Sequence, residues 1–547
     1  MAGVSRREAV ALAGLLLVTL VVRLWSIDHG LPNVHNLDEY AHFVPGAAAM
    51  SRGTLNPHYF QNPPAFTYVL LALFSVIYAL PGVSGSAAAA LNNDPTSVFL
   101  LARIATAVLG VVGVGLLYVA VRRLYGVAAA WLAALFLGLA FLPVFYSHLA
   151  LNDVPTLVPV ALALVGVAGI TSVGRRRDFL VAGIGLGAAT ATKYTAAAVA
   201  LAIGVAWLIR WRDEPAQRRA LWRHGALALV AAAITFVVLN PYSVLDAGAF
   251  VGGVRRQQQL TADVGKVGLD DTTGWQYYAW TLLWGFGVVP IGLALVGAAT
   301  ALRDNWRRVA PWLAFAVGMW LVIGAQTRFY ARWFLPAYPV LALCAALGVV
   351  AIRDWLPARG RVIGVAVVAA LALAQPAFDV VHSDVILGRT DTRAQAMTWL
   401  VRHVPAHTKV VAELVSSPAY FNVGSRRDGA PRYDLFALPR GSSVEKYAST
   451  LRASTVDDYI AQGYCIVMTG STQRDRAIKG RVPGAIAYYR ALAARAERLV
   501  TFSPVANGAS LPRFNFDLSY NWYPRAYVRP GPRIDIYRLP GPTCPAN

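Results

Sequence analysis

Two adjacent acids, Asp38 and Glu39, follow the first apolar segment of the chain in a loop that also contains histidines and tyrosines. A carboxylate at the mouth of a membrane bundle can remove a proton as a general base or bind a divalent cation. Adjacent acids are also common in solvated loops, so the pair alone favours an ordinary loop. The nearby His35, His42 and His58 lack the spacing of a known zinc motif, which argues against a histidine metal site.

Further ionisable residues lie at the predicted ends of apolar segments, where such residues indicate function by default. An acid, Asp153, lies in HLALNDVPT (148–156), where it could also cap a following helix. Basic groups facing the same side would hold a phosphate, arginine as a bidentate fork and lysine as a point charge, or would instead reach lipid headgroups. The candidates for phosphate binding are Lys193, Tyr194, Arg103, Arg255, Arg256, Arg328, Tyr330 and Arg332.

The composition indicates that these residues are positioned by a membrane domain. The chain has 547 residues and a net charge of +21, and 57% of its residues are hydrophobic. Only 14% are charged, against about 25% in a soluble domain. This composition excludes a disordered chain, and three cysteines exclude a disulfide scaffold. Because much of the basic charge lies in short loops between apolar runs, its expected partner is the bilayer and not a nucleic acid.

The apolar runs predict about eleven membrane spans with the N-terminus inside and the C-terminus outside. They lie near 9–27, 98–121, 127–146, 154–172, 179–192, 195–210, 225–242, 276–301, 309–325, 333–352 and 362–380. A further run, 65–81, is ambiguous. If it does not span, clusters such as Arg175–Arg177 fall inside and acids such as Asp38 fall outside, as the positive-inside rule requires. We therefore predict that 65–81 lies along the outer interface or is re-entrant.

The composition changes after about residue 381. Short apolar runs at 410–414, 465–470 and 534–539 alternate with helical patterns at 392–404 and 484–500. This alternation predicts a small mixed α/β domain. We therefore expect a membrane domain over 1–380, with its first outer loop at 28–97, and an extracytoplasmic α/β domain over 381–547. Cys465 and Cys544 both lie in the second domain, where a disulfide could form.

Several motifs, in their order along the chain, resemble those of GT-C superfamily glycosyltransferases. The most similar group is the polyprenyl-phosphate-dependent family 39-like enzymes, which include protein O-mannosyltransferases and aminoarabinose transferases. The matching segments are LDEY…GTLNPHYFQNPP (37–64), RIATAVLG (103–110), HLALNDVP (148–155), ATKYTA (191–196), NPYSVLD (240–246), FLPAYP (334–339) and DTRAQAMTWL (391–400).

The resemblance implies a polytopic GT-C-like fold and an inverting transfer of one hexose or pentose from a polyprenyl-phosphate donor. It implies that Asp38 is the catalytic base, that Glu39 is the second acid of the pair and that Asp153 is the second acidic motif. If a divalent cation such as Mg²⁺ or Mn²⁺ takes part, these three acids are its candidate ligands.

Two departures from the family pattern leave the acceptor open. QNPP at 61–64 replaces the HPP of many relatives, and the C-terminal domain is not a β-trefoil insertion. A protein, a lipid and a cell-envelope glycan therefore all remain candidate acceptors.

Two other functions compete with glycosyl transfer. A transporter or lipid-linked sugar flippase would place polar groups near the bilayer midplane and often shows inverted repeats, but here the polar residues gather at one face. A receptor or scaffold built around the outer domain would leave the clustered membrane-edge charges unexplained.

Overall fold

The computed structural model describes residues 5–262, 267–269, 272–414, 416, 420, 433–437, 444–515, 517, 524–541 and 544. The chain divides into two compact units. Unit 1 comprises Met1–Ile27, Ala41–Gln259 and Thr272–Val381, and unit 2 comprises Asp28–Tyr40, Leu260–Asp271 and His382–Asn547. The segment that carries Asp38 thus groups with the C-terminal part of the chain, whereas the sequence assigned it to the membrane domain. The domain boundary at 380/381 stays a prediction.

The described residues before 388 form helices. These are α1 (Arg6–Leu24), α2 (Leu37–Ala41), α3 (Phe43–Met50), α4 (Ala65–Ile77), α5 (Ala87–Asn93), α6 (Thr96–Tyr125), α7 (Val127–Leu139), α8 (Phe141–Tyr146), α9 (Leu157–Ser172), α10 (Arg176–Thr192), α11 (Ala200–Asp213), α12 (Arg218–Leu239), α13 (Tyr242–Leu245), α14 (Ala247–Ala262), α15 (Gly274–Leu282), α16 (Val288–Gly324), α17 (Tyr338–Trp355) and α18 (Arg361–Leu387). Short 3₁₀ turns cover Tyr194–Val199, Pro215–Gln217, Ala331–Ala337 and Ala358–Gly360, and a π-helical turn covers Leu283–Gly287.

Six helical segments among the described residues are long and apolar enough to cross a membrane, so the chain is a helical membrane protein. They are Thr96–Tyr125, Tyr194–Asp213, Pro215–Leu239, Gly274–Gly324, Ala331–Trp355 and Ala358–His403. The predicted total of about eleven spans is not confirmed by this number. Part of the difference lies in the segment Gly274–Gly324, which contains the two predicted spans 276–301 and 309–325. It is interrupted at Asn305, whose φ/ψ angles of −157° and 77° are non-helical.

The ambiguous run at 65–81 forms the 13-residue helix α4. At 1.5 Å per residue this helix is about 20 Å long, which is shorter than the hydrocarbon core of about 30 Å. Its placement along the outer interface stays a prediction.

Small residues bring helices α16 and α17 into close contact. A Cβ atom added at Gly297 would overlap the backbone carbonyl of Cys344, and one added at Gly348 would overlap the carbonyl of Leu293. Close backbone approach through small residues is typical of membrane helix pairs, because dispersion contacts replace the missing hydrophobic drive. Glycine at these positions therefore sets the spacing of the two helices.

Unit 2 contains a five-stranded mixed sheet. Its strands are β1 (Lys409–Ala412), β2 (Asp434–Ala437), β3 (Ile466–Gly470), β4 (Glu497–Phe502) and β5 (Ile534–Arg538), in the order β2-β1-β3-β5-β4. β1 pairs in parallel with β2 and β3, whereas β5 is antiparallel to β3 and β4. The helices of this part are α19 (Thr392–His403), α20 (Val444–Thr450), α21 (Thr455–Ala461), α22 (Ser471–Lys479) and α23 (Pro483–Arg495).

One helix predicted in this unit is too long. The pattern at 484–500 predicted a single helix, but α23 ends at Arg495 and Glu497–Phe502 forms the edge strand β4. Antiparallel pairing with β5 (Ile534–Arg538), which is distant in the sequence, supplies the hydrogen bonds of β4. Such tertiary pairing outweighs local helix preference.

The sheet separates two apolar clusters, as the alternation of side chains along a strand requires. Val411 and Val467 belong to one cluster, which also contains Tyr447, Tyr459 and Tyr488. Their neighbours along the strands belong to the other cluster, which contains Val410, Ala412, Ile466, Met468, Met397, Leu400 and Ile536.

Glu413 extends the first of these faces just beyond β1, and its carboxylate is fully buried. It accepts hydrogen bonds from Tyr488 and, at 2.8 Å, from Tyr489. Burial raises the pKa of Glu413 to about 7, although the two tyrosine hydroxyls partly oppose this shift.

Cys465 and Cys544 form a disulfide that closes a loop of 79 residues. The pairing that the sequence left open is therefore present. Cys344 is a buried free thiol in α17.

Candidate active site

Unit 1 contains a buried ionic cluster centred on Asp153. This residue lies in the turn between α8 and α9, and only 3% of its surface is exposed. The ammonium group of Lys193 donates a hydrogen bond to its Oδ1 atom, and Nε of Arg332 lies 3.6 Å from Oδ2. Lys193 and Arg332 are themselves buried, so three of the ionisable residues predicted from sequence meet in one place.

Local backbone irregularities place the two cations. Lys193 has extended φ/ψ angles of −155° and 119°, which end α10 before the 3₁₀ turn that starts at Tyr194. Arg332 lies in a second 3₁₀ turn, Ala331–Ala337, just before α17. Non-helical backbone at such depth is tolerated where protein surrounds it or where it lines a cavity.

Hydrogen bonds to backbone carbonyls hold the turn that carries Asp153. The side-chain amide of Asn152 donates to the carbonyl of Thr192 at 2.7 Å, and the hydroxyl of Thr156 donates to the carbonyl of Asn152 at 2.6 Å. The first bond ties the Asp153 turn directly to the residue before Lys193. The alternative role of Asp153 as a helix cap is not observed, because α9 begins at Leu157 after Thr156.

Aromatic rings surround the guanidinium group of Arg332. Its central carbon lies 4.8 Å from the ring centre of Tyr330 and 5.9 Å from that of Tyr146. Such cation–π contacts fix the orientation of the group in a poorly hydrated site. Tyr278, which interacts electrostatically with Arg332, has a buried hydroxyl without a hydrogen-bond partner among the residues that the structure describes.

Two buried cations and the hydroxyl of Tyr278, a hydrogen-bond donor, thus lie in one part of unit 1. Lysine and arginine side chains are groups that proteins use to bind phosphate.

The other predicted phosphate-binding residues lie elsewhere in unit 1 or have different contacts. Arg103 is buried in α6 and donates to the carbonyl of Ile27 at 2.8 Å, and the hydroxyl of Tyr194 donates to the carbonyl of Phe60 at 3.0 Å. Arg328 is partly buried ahead of Tyr330. Arg255 and Arg256 are exposed on α14.

Asp38 and Glu39 lie in the first turn of α2, in unit 2. The side chain of Asn36 caps this helix, because its Oδ1 accepts from the backbone amides of Asp38 at 3.1 Å and Glu39 at 3.2 Å. Glu39 is fully buried, whereas Asp38 is partly exposed. The two acids therefore have different surroundings although they are adjacent.

Sequence reasoning missed several residues of these sites. Tyr146, Tyr278 and Asn152 gave no signal, because aromatic and amide side chains in apolar segments resemble ordinary core residues. The sequence argued against His35 as a metal ligand and gave no other role for it. In the structure its Nδ1 atom lies 2.9 Å from Oγ of Ser416, which is 381 positions away in the sequence. No local pattern predicts such a pair.

Among the described residues, no three His, Cys, Asp or Glu side chains gather as a metal-binding group. A role of Asp38, Glu39 and Asp153 as metal ligands stays a prediction, and no chemical step is derived through a metal ion.

Comparison with known proteins supports the family resemblance. Residues 90–242, which contain Asp153 and Lys193, match the model of the dolichyl-phosphate-mannose-protein mannosyltransferase family. No curated protein sequence matches the chain.

Solved structures share the fold along most of the chain. ArnT from Cupriavidus metallidurans, solved with undecaprenyl phosphate, has a TM-score of 0.55 at 15% identity, over 98% of this chain and 99% of its own. The oligosaccharyltransferase AglB from Archaeoglobus fulgidus, solved with an inhibitory peptide and a dolichol-phosphate, has a TM-score of 0.53 at 11% identity, over 91% of this chain and 74% of its own. Both have the GT-C fold. The chain therefore shares the overall fold of these two structures, and residues 90–242 are similar to the mannosyltransferase family.

Proposed function

We propose that the protein is an inverting glycosyltransferase that moves a single sugar from a polyprenyl-phosphate donor to an acceptor on the extracytoplasmic face of the membrane. The observation that carries the proposal is the buried cluster of Asp153, Lys193 and Arg332, which brings two cations together. The family match includes the first two of these residues. The lipid ligands of ArnT and AglB are phosphates, which fit a cationic site.

In this proposal, Lys193 and Arg332 bind the donor phosphate. The bond between the sugar and the phosphate breaks during transfer, and negative charge grows on the phosphate as it leaves. Cations that are already fixed in a poorly hydrated site stabilise that charge without reorganising. Asp153 holds the two cations in place, and Tyr278 supplies a neutral hydrogen bond to the phosphate.

The remaining predicted residues have supporting roles. Tyr330 orients Arg332 through its ring, and Arg328 lies on the same segment. Arg103 and Tyr194 stabilise the surrounding backbone through their bonds to carbonyl groups. Arg255 and Arg256, which are exposed, attract the anionic donor from the membrane surface.

Asp38 is the proposed general base. Its carboxylate takes the proton of the acceptor hydroxyl while that oxygen attacks the anomeric carbon and the phosphate leaves from the opposite side. One displacement inverts the configuration, whereas a retaining mechanism would need a carboxylate nucleophile. Because Glu39 is fully buried next to Asp38, we assign it a positioning role.

Two observations support an extracytoplasmic location for the C-terminal part of the chain. Its Cys465–Cys544 disulfide is a bond that persists in oxidising compartments. The basic loops between the apolar runs favour the cytoplasmic side of the membrane, and the predicted topology then puts the C-terminal part on the opposite side. The acceptor is a protein, a lipid or a cell-envelope glycan.

The test is a transfer assay with the purified full-length protein in proteoliposomes that contain a polyprenyl-phosphate-linked radiolabelled sugar and a cell-envelope fraction. We expect wild-type protein to release the label from the lipid and form a product of inverted anomeric configuration, and Lys193→Met to lose this activity. Arg307→Gln, which removes an exposed cation of unit 1, is the matched control. Movement of the labelled lipid across the bilayer without sugar transfer would support the flippase function instead.

A further inference from the structure

Unit 2 contains a surface pocket of about 380 Å³. One side is formed by Gln395, in the first turn of α19, and the other by the end of β4 and the segment that follows it, including Phe502 and Asn507. Arg529 completes the lining. The volume lies within the range of about 300–1,000 Å³ that is usual for ligand pockets.

The lining has a distinct chemical character. Gln395 and Asn507 contribute amides, which both donate and accept hydrogen bonds, and Arg529 contributes a donor-only cation. None of the described contacts engages these three side chains, and no carboxylate is found among the described residues that line the pocket. The hydroxyl of the lining residue Thr501 is directed to the buried Asp535, to which it donates at 2.6 Å.

The carboxylate of Asp535, which lies beneath the pocket, already has cationic partners. Asp535 is 1% exposed, and it also accepts from Arg533 at 3.1 Å and from Arg474 at 3.2 Å. Arg529 therefore remains as the cation that is available to a ligand in this lining.

The pocket lies at the ligand-binding edge of the sheet. Phe502, the last residue of β4, pairs with Ile534, and Ile534 also pairs with Gly470, the last residue of β3. The end of β4 is therefore at the carboxyl ends of the parallel strands β1 and β3. The pocket therefore lies at the carboxyl end of the sheet, the end at which open α/β sheets bind ligands, although the switch point of this sheet is beside β1, which β2 and β3 flank.

A chain of contacts within unit 2 connects this edge to the segment of Asp38. Thr392, in the same turn as Gln395, donates from its amide to the carbonyl of Pro530 at 3.0 Å. Tyr420 donates to the carbonyl of Arg393 at 2.8 Å, and its ring packs edge-on against His35, with 5.9 Å between ring centres. His35 lies three residues before Asp38 in the sequence.

We propose that this pocket binds the acceptor and that the acceptor is an anionic glycan. The inference rests on the proposed function. Sugar hydroxyls both donate and accept, as the amides of Gln395 and Asn507 do, and an acidic group of the glycan pairs with Arg529. The lining also contains Phe502, Val505, Ala506 and Val528, but a lipid chain bound there would leave the polar groups of Gln395, Asn507 and Arg529 without hydrogen-bond partners.

The experiment measures transfer of a radiolabelled sugar from the polyprenyl-phosphate donor to a cell-envelope fraction from a strain that lacks this chain. The rate is followed as the amount of envelope fraction is varied, and donor hydrolysis by water is measured without that fraction. The pocket variants are the Gln395→Ala/Asn507→Ala pair and Arg529→Gln. The matched controls are Gln462→Ala and Arg402→Gln, which remove an exposed amide and an exposed cation elsewhere in unit 2.

We expect each pocket variant to raise the amount of envelope fraction needed for half-maximal transfer about tenfold, because lost hydrogen bonds weaken acceptor binding. Donor hydrolysis should keep its wild-type rate, and the controls should behave as wild type. The labelled product should resist protease and organic extraction.

Pocket variants with wild-type dependence on the envelope fraction would overturn the acceptor site. A product that is digested by protease or extracted into organic solvent would overturn the glycan assignment in favour of a protein or a lipid. If wild-type protein consumes no donor, the proposed function itself is overturned, and the acceptor site with it.

Discussion

Lys193 donates a hydrogen bond to Asp153 across 40 residues of sequence, inside the helical unit that carries most of the membrane spans. The pair joins the turn after α8 to the end of α10, and the amide of Asn152 reinforces the same junction through the carbonyl of Thr192. Arg332 adds a second cation to the same carboxylate. The acid is therefore shared, and this sharing determines how the cluster responds to substitution.

Asp153→Asn should destabilise unit 1 strongly. The substitution keeps the size of the side chain but leaves two buried cations without their carboxylate, and breaking a buried ion pair from one side costs about 3 kcal/mol or more. The measurement is the thermal unfolding midpoint in detergent. The double variant Asp153→Asn/Lys193→Met should recover part of the loss, because it removes the buried ammonium group that has lost its carboxylate partner.

An exposed pair of the same unit provides the control for this experiment. Arg307 and Asp213 lie 2.9 Å apart with 53% and 39% of their side chains exposed. Asp213→Asn should change stability by less than about 1 kcal/mol, since exposed ion pairs contribute little. Equal effects at the two sites would contradict the view that burial gives the Asp153 cluster its importance.

Asp38→Asn should reduce sugar transfer about 10²–10⁴-fold, the usual contribution of a positioned general base. Asparagine keeps the geometry of the α2 turn but cannot accept the proton. The measurement is the initial rate of transfer by protein that elutes and unfolds as wild type does. Asp28→Asn, which neutralises an exposed acid of the same outer segment, should retain full activity. Wild-type turnover by Asp38→Asn would remove this residue from the mechanism.

The sequence predicted the fold well where one local pattern determines the element. The predicted runs 98–121, 225–242 and 333–352 correspond to α6, α12 and α17, and the short runs at 410–414, 465–470 and 534–539 correspond to β1, β3 and β5. It failed where distant pairing decides, as in β4, whose residues 497–502 had a helical pattern.

The same distinction applies to the candidate sites. Charge at the ends of apolar runs was sufficient to select Asp153, Lys193 and Arg332, because such charge is rare there. The grouping of Asp38 with unit 2 was not predictable, since it depends on contacts such as that between His35 and Ser416.

Glu413 should make the stability of unit 2 depend on pH. In the unfolded chain its carboxyl group ionises near 4.5, whereas in the folded protein burial raises the pKa to about 7. Between these values the unfolded chain loses the proton that the folded protein keeps, so rising pH favours unfolding. The contribution is fully present below about pH 4.5, is lost as the pH approaches 7, and amounts to about 3 kcal/mol.

The variant Glu413→Gln tests this dependence, because the amide stays neutral at every pH. Its unfolding midpoint should lose the decline that wild-type protein shows between pH 4.5 and 7. Glu497→Gln, at an exposed acid of the same sheet, should keep the wild-type profile. If the decline persists unchanged in Glu413→Gln, other titratable groups cause it.

Removing the disulfide should destabilise unit 2 by about 4 kcal/mol. The Cys465–Cys544 bond closes a 79-residue loop, and cross-links of that size restrict the unfolded chain substantially. The variant is Cys465→Ser/Cys544→Ser, and the measurement is its unfolding midpoint beside that of Cys344→Ser. Thiol labelling of denatured wild-type protein should find one reactive cysteine before reduction and three after it. Three reactive cysteines before reduction would show that the bond is absent.

Two glycines of α16 should respond to alanine in opposite directions. In a helix interior, alanine is favoured over glycine by about 1 kcal/mol, so Gly292→Ala, where a Cβ atom meets no neighbour within 4 Å, should be neutral or stabilising. At Gly297 the same methyl group would overlap the carbonyl oxygen of Cys344, so α17 must move away. We expect Gly297→Ala to cost about 1–3 kcal/mol, as overpacking of a close-packed interior does. The unfolding midpoints of the two variants in one detergent measure this difference, and equal midpoints would mean that α16 and α17 pack less closely than the structure shows.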